Sequence, residues 1–156
     1  MILDILSSKP VLIGLHLGFA IIGIDGFLWM LGELIAGVKS RLRMLFAAVL
    51  GLGGFLISWV FGGYYYVVYY GKEVKPVIKS GLAPWAHSIA METKEHIFLF
   101  IIPLAITAFL VMLLSKDEFD NSNLRKPVSW LVALIVLIGF AIGIMGYIIS
   151  AAARWG

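Results

Sequence analysis

Residues 10–37 read PVLIGLHLGFAIIGIDGFLWMLGELIAG, an apolar run interrupted by only two acids, Asp25 and Glu33. A bilayer's hydrocarbon core is about 30 Å thick, and about 20 residues of helix cross it. Nothing at that depth can bond to a bare backbone amide, so a spanning segment must be a helix or part of a closed barrel. Barrel strands alternate apolar and polar residues, and this run does not. It reads as a transmembrane helix.

The same reasoning, carried outward, finds three more spans: 44–70, 96–115 with an extension from 85, and 127–153. Pro10 and Pro127 fall in first turns, where a helix tolerates proline, whereas Pro103 lies inside the third span and is expected to kink it. KSRLR (39–43) and KDEFDNSNLRK (116–126) are short polar linkers. The segment 72–95 is longer. Within it WAHSIAMETKE (85–95) is expected either to extend the third helix beyond the membrane or to lie on the surface as an amphipathic helix. The expected fold is all-α: an integral membrane four-helix bundle, up-down and antiparallel, forming one domain over residues 1–156.

Composition agrees. The chain is 62% hydrophobic and 13% charged, against about 25% charged in soluble domains, and its mean hydropathy is +1.02. The start MILDILSSKP lacks the basic stretch and cleavage site of a signal peptide, so the first span is expected to be retained. With no cysteine, disulfides, thiolate ligands, iron–sulfur clusters and covalent haem attachment are excluded. The net charge of +3 is modest and dispersed, which argues against a nucleic-acid partner and for topology marking. Lys and Arg divide evenly between the two ends. The dense KSRLR turn tips that loop toward the cytoplasm. The expected location is the cell inner (plasma) membrane, multi-pass, with the lipid bilayer as the first partner. YYYVVYY (64–70), Trp85 and Trp155 read as the outer aromatic belt. Gly-x-Ser-x-Gly, Walker A and His-Glu-x-x-His patterns are all missing, so hydrolysis and nucleotide chemistry have no visible machinery.

Helical spacing then separates the spans by role. Ala47, Gly51, Gly54, Ser58 and Gly62 line one face of the second span, and Gly139, Gly143, Gly146 and Ser150 line one face of the fourth. Such stripes either let helix backbones approach closely or clear room for a flat cofactor. In an up-down bundle these two spans lie diagonally opposed, leaving a gap to fill. The other diagonal carries histidines. His16 shares a face with Ala20, Gly23 and Phe27, and His96 shares one with Pro103 and Thr107. Two imidazoles across a glycine-lined core suit haem b, with His16 and His96 as axial ligands and Gly54, Gly62, Gly143 and Gly146 against the porphyrin. His87 lies half a revolution out of phase with His96, so it is either the true partner of His16 or an interfacial residue. Each histidine also reads as a hydrogen-bonded packing residue.

A competing constellation uses the same groups for a zinc, iron or copper ion: Glu92 with His96 on one face, His87, Met91 and Glu95 on another, and His16 approaching from the first helix. Its plain counterpart is a solvated turn with weak surface pairs. Asp25 shares a face with Gly14, Gly18 and Gly32, opposite His16. It belongs at a helix seam, in a proton path with Lys94, or against another subunit. Glu33 is expected to pair with Arg41 or Arg43.

GLHLGFAIIGIDGFLWMLGEL, the KSRLR turn, a glycine-rich second span and a third helix opening METKEHIFLF with Lys94 at its head resemble the copper-resistance D family. They also resemble its relatives, four-helix haem-binding membrane proteins of the protoporphyrinogen oxidase J type. The likeness covers roughly the first two thirds of the chain, and it implies a first-helix histidine as haem or metal ligand, which maps to His16. PWAHSIAMETKEH (84–96) has no counterpart in that pattern. The leading expectation is a b-type cytochrome-like membrane protein, open to being a haem-dependent oxidoreductase, that passes electrons between a quinone and a redox partner protein. The alternatives are a metal-ion or proton transporter or channel subunit, and a structural subunit of a membrane complex. A homo-oligomer is compatible with each.

Overall fold

The structure, a computed structural model, describes residues 2–155, which form helices joined by short turns, with no strand among them. Four helices are long and apolar enough to cross a membrane: α1, Lys9–Ile35; α2, Arg41–Ser80; α3, Ala86–Met112; and α4, Arg125–Trp155. Short helices, Ile2–Leu6 and Lys116–Asn121, lie outside them. In space α1 packs on α2 and α4, and α3 packs on α2 and α4.

Two of the four run further than hydropathy suggests. Helix α2 continues past residue 70 because the chain widens into a π-helix over Tyr66–Val74 and then resumes as Lys75–Ser80. Pro76 follows that widening directly. Proline has no N–H, and its ring collides with the carbonyl four residues back in α geometry. The wider turns immediately before it re-pair the backbone, with the Lys75 N–H reaching the Tyr70 carbonyl, and the helix survives. Helix α3 likewise opens with a π segment, Ala86–Met91, started by the Pro84 carbonyl accepting from the amides of His87 at 3.1 Å and Ser88 at 3.3 Å. WAHSIAMETKE therefore extends the third helix. Pro103 leaves Glu92–Met112 uninterrupted, and Thr107 Oγ1 donates back to its carbonyl at 2.8 Å.

The tightest seam is α1 against α2. A Cβ on Gly54 would lie 2.5 Å from the Gly23 nitrogen and 2.8 Å from the Phe19 carbonyl oxygen, and Gly26 meets Gly51 just as closely. The small-residue stripe of α2 thus serves helix packing. One core cluster draws Phe27 and Met30 from α1, Ala47 and Phe55 from α2, Ile101 and Ala105 from α3, and Val132 and Ile135 from α4. A second gathers Tyr70, Ile78, Ala86, Met91 and Ile149 toward the opposite end.

Arginines close the helix ends at the KSRLR side. Helix α1 stops in a Schellman motif, with Gly37 at φ +69°, the Val38 amide on the Glu33 carbonyl and the Gly37 amide on that of Leu34. Arg125 adds donors to the carbonyls of Leu34 and Val38. Arg41 donates to the carbonyls of Val111, Met112 and Leu114 at 3.1, 3.1 and 2.8 Å, and its guanidinium stacks over Phe119 at 4.3 Å. Glu33 pairs with Arg43, as the sequence suggests, and also accepts from Trp29 Nε1 at 2.9 Å. The Ser115 hydroxyl and amide cap Lys116–Asn121 and hold the Glu118 carboxyl below the usual carboxylate range. Arg41→Ala strands three carbonyls at the end of α3. It is expected to cost about 2 kcal/mol in detergent thermal unfolding, with Arg41→Lys recovering only part, because an ammonium lacks the planar fork. Unfolding of Arg41→Ala at the wild-type temperature would contradict this assignment.

Candidate functional site

His16 lies on the third turn of α1 and faces α2, where Gly62 makes room for it: a Cβ there would come 2.5 Å from His16 Nδ1. Its Nδ1 sits 2.9 Å from the Ser58 carbonyl oxygen, which can only accept, so Nδ1 carries a proton. Ser58, fully buried, donates its hydroxyl to the His16 carbonyl at 2.8 Å. These bonds fix the tautomer and leave Nε2 as the basic nitrogen.

The amine of Lys94 reaches into the same region from α3. It acts electrostatically on His16 and lies 3.6 Å from where a Cβ on Gly146 would stand. It is half-buried, with no hydrogen bond or ion pair among the described residues. Next to it Glu95 has its Oε1 buried without a hydrogen-bond partner, and the Tyr66 hydroxyl lies beside that carboxyl. Tyr66 stacks on Tyr70, ring centroids 5.2 Å apart. The Tyr70 hydroxyl is 3.0 Å from His87 Nδ1, and His87 Nε2 is 3.8 Å from Glu92 Oε1. Tyr70 and His87 are buried, whereas Glu92 is half-exposed. Exchangeable groups are thus linked pairwise in this region: Glu92 with His87, His87 with the Tyr70 hydroxyl, and the Tyr66 hydroxyl with Glu95, with the Lys94 amine and the His16 imidazole nearby.

Several expected site residues fall elsewhere. His96 is exposed, and its Nδ1 turns back to the Glu92 carbonyl of its own helix at 2.6 Å, so it does not oppose His16. Gly54 is filled by the α1 backbone and Gly62 by the His16 ring, whereas Gly143 is exposed with nothing within 4 Å of an added Cβ. The flat group in the glycine groove is an imidazole, and haem held between His16 and His96 does not fit this arrangement. Among the described residues no three of His, Asp and Glu come together as metal ligands. Asp25 is exposed on the outer face of α1, away from Lys94 and His16. His87, read from sequence as either a ligand or an interfacial residue, is buried between Tyr70 and Glu92.

No protein-family model, curated protein or solved structure matches this chain. The site is therefore read from its own geometry. Ser58, Tyr66, Tyr70 and Glu95 are members that residue patterns place in other roles: Ser58 in the small-residue stripe, the tyrosines in the aromatic belt and Glu95 among candidate metal ligands. One signal was available for Glu95: it shares a helical face with His87 and Met91, and that face turns inward.

Proposed function

We propose that this chain is a proton-handling membrane protein, in which protons from one membrane surface reach an interior site at Glu95, Lys94 and His16, serving proton-coupled transport. The observation that supports this reading is the buried Glu95 Oε1 without a hydrogen-bond partner, set between a tyrosine hydroxyl and a lysine amine. A buried acceptor lacking a donor carries the full desolvation penalty of that atom, and an arriving proton relieves it. Ionisable groups inside a membrane bundle are expensive and mark ion or proton routes. Each link from Glu92 inward can exchange a proton, and the fixed Nδ1–H of His16 leaves its Nε2 to end the series.

Beyond His16 and Ser58 the interior is apolar, filled by Phe27, Met30, Phe55, Ile101 and Ile135. This arrangement is a loading site on one side of a dry core, and release to the other surface requires the helices to shift. The four spans read as an up-down antiparallel bundle in the cell inner (plasma) membrane, because chain-consecutive helices are spatial neighbours and the first packs on the last. With the basic KSRLR end in the cytoplasm, Glu92 faces outside.

Proteoliposomes holding a pH-sensitive dye and driven by a potassium diffusion potential test the reading. Proton flux is expected to exceed that of empty liposomes and to fall about a hundredfold in Glu95→Gln, the lower end of what general acid–base groups carry. Flux equal to that of empty liposomes, or unchanged in Glu95→Gln, would rule the function out.

A further inference from the structure

At the KSRLR end of the bundle an open cleft of about 410 Å³ lies between the end of α1 and the start of α2, lined by Trp29, Gly32, Glu33, Ala36, Val38 and Arg43. Gly32 keeps it open, since it is exposed and a Cβ added there would meet nothing within 4 Å. Glu33 is 5% exposed, and its two donors, Trp29 Nε1 and an Arg43 guanidinium nitrogen, both bond the same oxygen, Oε1. Oε2 is buried with no hydrogen-bond partner among the described residues. An unpaired acceptor of that kind carries its desolvation penalty in full. The Arg43 side chain, by contrast, is 58% exposed and commits one N–H to Glu33, with further donors on the same fork.

Those groups specify the chemistry of an occupant. The carboxylate calls for an N–H donor, and the free edge of the guanidinium calls for an anionic acceptor. A bare metal ion does not suit the cleft: Glu33 is its single acid, Arg43 stands beside it, and no three of His, Asp and Glu come together among the described residues. The Glu33–Arg43 pair is neutral as a whole, so a ligand carrying both signs matches it. An ammonium also gains from the face of an indole, and Trp29 is held in edge contact with Phe46, ring centroids 5.9 Å apart. Position then decides the source. Glu33 lies in the last turn of α1, at the headgroup level where interfacial tryptophans sit, while Leu28, Phe46 and Val49, deeper in the spans, are exposed and apolar.

We propose that this cleft binds the phosphoethanolamine headgroup of a bilayer lipid, with its ammonium donating to Glu33, its phosphate accepting from Arg43 and its acyl chains lying along Leu28, Phe46 and Val49. The exposed Arg43 side chain turns toward the phosphate, which opens the carboxylate to the ammonium. A choline headgroup has the same charges but no N–H, so it leaves Oε2 unpaired. The site is separate from Glu95, Lys94 and His16, which lie toward the other end of the bundle.

Lipid-free protein in detergent, titrated with phosphatidylethanolamine or phosphatidylcholine of identical acyl chains and followed by thermal unfolding, tests the proposal. The ethanolamine lipid is expected to raise the melting temperature with about tenfold higher apparent affinity than the choline lipid, the lower end of what one hydrogen bond to a charged group is worth. In Gly32→Leu, where the new side chain fills the cleft, the preference is expected to vanish while the lipid-free protein melts no earlier than wild type. Glu33→Gln, which keeps the shape and removes the charge, is expected to abolish the preference as well. Free phosphoethanolamine at the same concentration is expected to leave the melting temperature unchanged, because it lacks the apolar chains. Three results would overturn the proposal: equal affinity for the two lipids, a preference that survives in Gly32→Leu or Glu33→Gln, and a shift by free phosphoethanolamine as large as that by the lipid. Gly32→Leu leaves Glu33 and Arg43 intact, so it decides even if Glu33→Gln fails to fold.

Discussion

Gly54→Val is expected to lower the stability of the bundle by about 3 kcal/mol, the upper end of what overpacking a close seam costs. The first added carbon alone would sit 2.5 Å from the Gly23 nitrogen, 2.8 Å from its Cα and 2.8 Å from the Phe19 carbonyl oxygen. All three obstacles are backbone, so no side chain can swing aside. The two helices must separate, which also loosens Phe55 against Gly23 and His16 against Gly62. Gly54→Ala is expected to show the same effect at roughly half the size. Gly53→Ala and Gly63→Ala are the controls: an added Cβ meets nothing within 4 Å at either, and alanine is favoured over glycine in a helix by about 0.5–1 kcal/mol. They should leave stability unchanged or raise it. Thermal unfolding in detergent, followed by circular dichroism, decides. A Gly54→Val chain that melts with wild type would mean that the stripe is not a packing surface.

Lys94→Met is expected to change stability in the opposite direction, raising it by about 1–2 kcal/mol while abolishing proton flux. A lysine at the centre of a membrane helix costs about 2.5–3.5 kcal/mol. Lys94 lies off centre and half-buried, so its cost is smaller. Nothing among the described residues bonds to its amine, and Glu95 balances the charge only at a distance. Methionine keeps much of the volume and removes the charge. A gain in stability with a loss of function is the signature of a group retained for what it does. If Lys94→Met instead melts earlier than wild type, the amine holds the bundle together and the relay is a structural network.

Much of this architecture is visible in the residues themselves. The four spans, the proline positions, the close-packing face of α2 and the Glu33 pairing with a nearby arginine all follow from local rules. The same rules place His16 inward, on the face of Gly23 and Phe27, and His87 half a revolution from His96. The site is less legible. Tyr66 and Tyr70 read as an interfacial belt because they close an apolar run, yet the π turns ahead of Pro76 carry α2 onward and bury Tyr70 against His87. The charged residues near His96 give no hint that its ring turns outward to its own helix.

The sequence by itself determined that the chain is helical, how many times it can cross a bilayer and which faces are small. Those properties depend on hydropathy and on a 100° step per residue, both of which are written in neighbouring letters. Only the tertiary structure decided that the glycines of α2 receive α1 and an imidazole, that Arg41 caps a helix seventy residues away, and that the Tyr66 hydroxyl lies beside Glu95 while Asp25 is left facing outward. Each of those depends on which helix stands opposite and on how far the π turns rotate its face, and neither quantity is encoded within any single span.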